Sequence, residues 1–162
     1  MKIIAPLMAL LFLLTACGGS DPAPAPAPPA AGTEEAEKPV GLDIPAINVH
    51  ATDLQTAGVE SDGDYTCPDD PNAVAWNADG ILPGEPGLAV IVAPTQGAFQ
   101  RLGDIGPDDP IVVNRADGTR ATFRETEGIS STPAGARPAR LQLTACGDQA
   151  AAASTVYAEL VP

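Results

Sequence analysis

The sequence from residue 40 to residue 162 predicts an all-β fold, a closed barrel or sandwich of eight short strands with little helix. Three observations carry that expectation. The apolar runs are short, rich in branched residues and separated by Gly, Pro and Asp, which is how strands of an all-β domain are spaced. No long helical segment is present. The dipeptide Asp117-Gly118 stands between two such runs, and Asp-Gly supplies the positive φ angles of a tight primed turn. Taken in order, the strands are expected at Leu42–Val49 (LDIPAINV), Asp64–Thr66 (DYT), Ala73–Trp76 (AVAW) and Leu88–Ala93 (LAVIVA). The hairpin pair Pro110–Asn114 (PIVVN) and Arg120–Thr126 (RATFRET) follows, then Arg140–Ala145 (RLQLTA) and Thr155–Leu160 (TVYAEL). Between the fourth and fifth strands, Gly97–Leu102 (GAFQRL) predicts one short helical turn, with Phe99 and Leu102 meeting at i, i+3 spacing.

The chain ahead of this domain reads as an address and a spacer. Lys2, the apolar run Ile3–Leu14, the small pair Thr15-Ala16 and then Cys17 have the anatomy of a lipoprotein signal peptide over residues 1–16, cleaved and acylated at Cys17. The apolar run is too short and too near the cut for a permanent transmembrane helix. The mature protein is then expected outside the cytoplasmic membrane, held to it by lipid, in a compartment where disulfides persist. Residues 17–39 hold an Ala-Pro alternation (Pro22, Pro24, Pro26, Pro28, Pro29) and the acids Glu34, Glu35 and Glu37. Proline fixes extended polyproline geometry, so this linker can span up to about 60 Å.

Charge and metal chemistry narrow the partners. A net charge of −13 with only eight Lys and Arg excludes nucleic acid, because binding phosphate requires a basic surface. Asp62, Asp64, Asp69 and Asp70 lack the spacing and terminal Glu of a calcium loop, so no metal site is expected.

Five segments then occur in a telling order: LDIPAINVHA (Leu42–Ala51), VAWNADGILPGEPGLAVIV (Val74–Val92), FQRLGDI (Phe99–Ile105), IVVNRADGTRATF (Ile111–Phe123) and LQLTACGD (Leu141–Asp148). Together they resemble the successive signatures of actinobacterial class F sortases, over nearly the whole domain. The resemblance implies an eight-stranded sortase β-barrel, membrane association and no cofactor. It also implies cysteine transpeptidase chemistry: a thiolate attacks the scissile carbonyl of a sorting signal, a histidine handles the amine's proton and an arginine stabilises the tetrahedral oxygen.

Only the nucleophile has its counterpart. Cys146 closes a strand in which Leu141, Leu143 and Ala145 alternate with Gln142, Thr144 and Cys146, so the thiol falls on the more polar face. The threonine the family carries just before it is replaced by Ala145. Where the family has its histidine this chain has Pro94, which offers no proton acceptor. No arginine follows Cys146, and its expected place is approximately Ala151. Arg140 lies on the same strand and face but six residues back, about 20 Å at 3.3 Å per residue. His50, the one histidine, lies where the resemblance does not bring it near the thiol. In the sortases the segment around Cys67 runs along the substrate cleft close to the nucleophile. With Cys17 acylated, two cysteines remain, and pairing Cys67 with Cys146 leaves none over.

Two functions follow. One is an extracytoplasmic sortase-like lipoprotein, catalytically impaired, that acts as a binding or structural module toward secreted proteins or cell-wall components. The alternative is an active class F-like sortase, a transpeptidase or hydrolase using Cys146, with His50 or another group recruited.

Overall fold

The computed structural model describes residues 37–61, 63–126, 138–147 and 155–162. Nine strands form a single sheet: β1 (Pro39–Ile44), β2 (Val49–Ala51), β3 (Leu54–Ala57), β4 (Val74–Asn77), β5 (Gly87–Pro94), β6 (Pro110–Arg115), β7 (Arg120–Thr126), β8 (Ala139–Cys146) and β9 (Thr155–Leu160). Their order across the sheet is β2-β1-β6-β7-β9-β8-β5-β4-β3. β1, second from one end of that order, and β3, at the other end, pack on one another and nearly close the sheet into a barrel. The all-β barrel expected from the sequence is the observed architecture, with nine strands among the described residues in place of eight.

The first expected strand breaks in two. Pro45 has no N–H to give a ladder and starts a 3-10 turn, Pro45–Ile47. Asn48 then adopts a left-handed conformation (φ 58°), which Asn tolerates better than most residues, and the chain reverses into β2. The Asp64–Thr66 strand is reduced to one isolated bridge between Val59 and Tyr65. β3 was not anticipated, because Leu54–Ala57 lacks a branched run; it gains its order by pairing in parallel with β4. Residues 97–101 form consecutive turns that run directly into a 3-10 turn at Leu102–Asp104, so the expected helical turn lies later and only its last residue, Leu102, is helical.

The β6–β7 hairpin is present, but its turn is not the primed one. Gly118 alone has positive φ (82°), while Asp117 does not. Asp117 instead accepts hydrogen bonds from the backbone N–H and hydroxyl of Thr119, at 2.8 and 2.7 Å. The loop therefore resembles the three-residue type that ends in a left-handed glycine.

The barrel interior is filled by alternate residues of the strands, among them Leu42, Ile44, Ile91, Ile111, Val113, Phe123, Leu141 and Leu143, each fully buried. Phe99 and Leu102 from the loop after β5 plug the same core. Val90 and Val92 point to the opposite, outer face of β5, where they join Ala57, Ala75 and Tyr65 in a second apolar cluster. β5 is thus covered on both sides, which explains its unbroken apolar run. Tyr65 belongs to the irregular segment between β3 and β4, so that segment folds over the outside of the barrel.

Candidate active site

β5 and β8 run parallel, with Val90 beside Gln142, Val92 beside Thr144 and Pro94 beside Cys146. Along β8, burial alternates strictly: Ala139, Leu141, Leu143 and Ala145 are buried, and Arg140, Gln142, Thr144 and Cys146 are half-buried. Cys146 therefore ends its strand on the outer face, as the alternation of the sequence requires. Its strand end is pinned by Thr95, whose backbone N–H and hydroxyl both donate to the Cys146 carbonyl at 2.9 Å. Sequence reasoning missed Thr95; its position directly after the residue paired with Cys146 is the signal that could have found it.

The sulfur is not free. Cys67 and Cys146 form a disulfide with Cα atoms 5.7 Å apart, within the span a bridge allows. A disulfide sulfur has no proton to lose and cannot supply the thiolate that acyl transfer needs. The residue beside it on the neighbouring strand is Pro94, which carries no proton either.

The other candidates are placed elsewhere. His50 stands on β2 opposite Asp43 of β1, and its Nδ1 pairs with the Asp43 carboxylate; both side chains are exposed. His50, Asn72, Gln96 and Gln100 contribute to a shallow polar cleft of about 430 Å³ between β2 and the loop after β5. Arg140 forms an ion pair with Glu159 of β9 at 3.3 Å. Arg101 pairs with Asp104 at 2.8 Å, Arg115 donates to the Pro83 carbonyl at 2.7 Å, and Arg124 donates to the Asp108 carbonyl. None of these interactions directs a guanidinium toward Cys146. Cys17, Asp62, Arg137 and Ala151 lie outside the described residues.

The loop carrying Cys67 meets the loop after β5 at Gly97. The Pro71 carbonyl accepts from Ala98 N–H at 2.8 Å, and a Cβ on Gly97 would fall 1.6 Å from the same oxygen. Only glycine permits that approach. Among the described residues, no group of three or more His, Cys, Asp or Glu is placed to share a metal ion.

This barrel, with a cysteine ending β8 beside the last residue of β5, has the fold of the sortases. Sortase E1 from Streptomyces coelicolor, solved with a tripeptide in its active site, superposes with a TM-score of 0.53 at 15% identity, over 78% of this chain and 90% of that one. A lid mutant of sortase A from Corynebacterium diphtheriae gives 0.51 at 19% identity, over 76% and 70%. The sortase D5 transpeptidase of Clostridium perfringens gives 0.51 at 15% identity, over 77% and 79%. No protein-family model matches the chain, and no curated protein sequence does.

Proposed function

We propose that the protein is a class F-like sortase-fold lipoprotein that has lost transpeptidation and serves at the cell surface as a binding or structural module. The observation that carries this reading is the Cys67–Cys146 bridge beside Pro94. Acyl transfer needs a thiolate, a group to protonate the departing amine and a donor to the tetrahedral oxygen. The bridge withholds the first, and Pro94 stands where the second is wanted. Loss of an acid/base lowers rates by about 10²–10⁴, and loss of an oxyanion donor by about 10²–10³.

In this reading Cys17 is acylated and residues 17–39 space the domain from the membrane, where its partners are secreted proteins or cell-wall components. Incubation of the protein with a sortase-type peptide and an amine, with and without reductant, tests the loss of function. No amine-dependent transfer product is expected in either arm. A product that disappears on Cys146→Ala would overturn the reading.

A further inference from the structure

We propose that the Cys67–Cys146 bridge is a site of thiol–disulfide exchange with an external dithiol, and that its reduction releases the described residues 58–61 and 63–72 as a strap from the outer face of β4 and β5. Both cysteines are half-buried rather than sealed in the core, so an attacking thiolate can reach them. Several of the strap's backbone bonds close it on itself: Glu60 N–H donates to Asp64, Gly63 to Glu60 and Thr66 to Gly58, at 2.7, 3.0 and 3.0 Å. It is attached to the barrel by Tyr65 on the Val90 and Val92 cluster, by the Pro71 carbonyl bond to Ala98 and by the disulfide. The two ends of the bridge therefore differ. Cys146 is fixed by the β5 ladder and by Thr95, whereas Cys67 lies in irregular chain.

The exchange balances as follows. A thiolate of the dithiol attacks Cys67 Sγ; the S–S bond breaks and its electron pair leaves on Cys146 Sγ, which takes a proton from water. The second thiol of the dithiol then attacks its own partner's sulfur in the mixed disulfide and expels Cys67 as a thiolate, which is protonated in turn. The bridge gains two electrons and two protons, and the dithiol becomes a disulfide. With the covalent tie gone, Tyr65 and the Pro71–Ala98 backbone bond are among the contacts that still hold the segment, and the apolar strip of Ala75, Val90 and Val92 becomes exposable. The inference is independent of whether reduced Cys146 can be acylated.

The test uses the intact protein, without denaturant, in a few millimolar dithiothreitol, followed by alkylation and peptide mass mapping. Alkylation of both Cys67 and Cys146 is expected while the β-sheet circular dichroism is retained. At early exchange times hydrogen exchange in the segment between β3 and β4 should rise by about tenfold or more, while β5 and β8 remain the more protected strands. A thioredoxin lacking its second cysteine should be trapped on Cys67. A bridge that resists reduction until the fold is denatured would overturn the proposal. So would reduction that costs the whole sheet its protection, exchange in the segment between β3 and β4 that does not change, or an adduct confined to Cys146.

Discussion

Replacing both bridge cysteines by alanine should lower the stability of the domain by up to about 4.5 kcal/mol. The bridge joins residues 79 positions apart, and the loop-closure entropy it removes from the unfolded chain is about 15 cal/mol/K for that length, or about 4.5 kcal/mol at 25 °C. Both side chains are only half-buried, so the loss of sulfur packing adds little to that figure. Domains of ordinary size have about 5–15 kcal/mol in total, so Cys67→Ala/Cys146→Ala is expected to fold with a much reduced margin. Urea unfolding reads the effect: at a slope of about 1–3 kcal/mol/M, the midpoint should fall by about 1.5–4.5 M. Wild type measured in reductant should coincide with the double variant, because both lack the same cross-link. A double variant whose midpoint and slope match those of oxidised wild type would refute the reasoning, since the bridge would then constrain nothing in the unfolded chain.

Gly97→Ala is expected to cost about 1–3 kcal/mol, read as a lower thermal midpoint, because its Cβ would overlap the Pro71 carbonyl and one of two backbones must move. An unchanged midpoint would contradict that packing. Asp117 has its pKa lowered below the ordinary 3.8, chiefly by the hydrogen bond from the Thr119 hydroxyl and then by that from the Thr119 N–H. A carboxyl with a depressed folded pKa stabilises above its unfolded value and loses that contribution as pH falls through the folded one. Asp117→Ala should therefore show a shallower loss of stability on acidification below about pH 4 than wild type; identical acid slopes would refute it. Cys17→Ser is expected to abolish incorporation of labelled lipid and to release the mature domain from membranes in fractionation, and continued labelling would refute the anchoring proposal.

What was legible in the sequence was what local pattern and covalent counting can encode. The LAVIVA run, Leu88–Ala93, identified the centre of β5, and it reads as unbroken apolar because a strand covered on both faces has no polar register to show. The alternation of β8 placed Cys146 on the half-buried face, and the same parity held in the fold. Pro94 stands beside Cys146 because the two strands pair in parallel register, a long-range fact that the resemblance conveyed and that periodicity could not. Other features depended on tertiary partners. β3 exists because β4 is next to it, and the Asp43–His50 pair exists because Pro45 and Asn48 fold β1 back on β2. The segment over Val90 and Val92 was hidden for a similar reason: its Gly, Asp and Thr residues carry no period, and among its described residues Tyr65 supplies the apolar contact.

The measurement that bears most directly on the proposed loss of transpeptidation is intact-mass spectrometry of the fully reduced protein after exposure to a sortase-type sorting peptide. Reduction removes the cap and leaves Cys146 as a thiol beside Pro94, so the remaining chemistry is tested alone. Pro94, the residue paired with Cys146, offers neither a base for the thiol nor a proton for the departing amine. The predicted result is no mass increment on Cys146 corresponding to an acyl–enzyme. An acyl adduct that forms on wild type and is absent from Cys146→Ala would contradict the account.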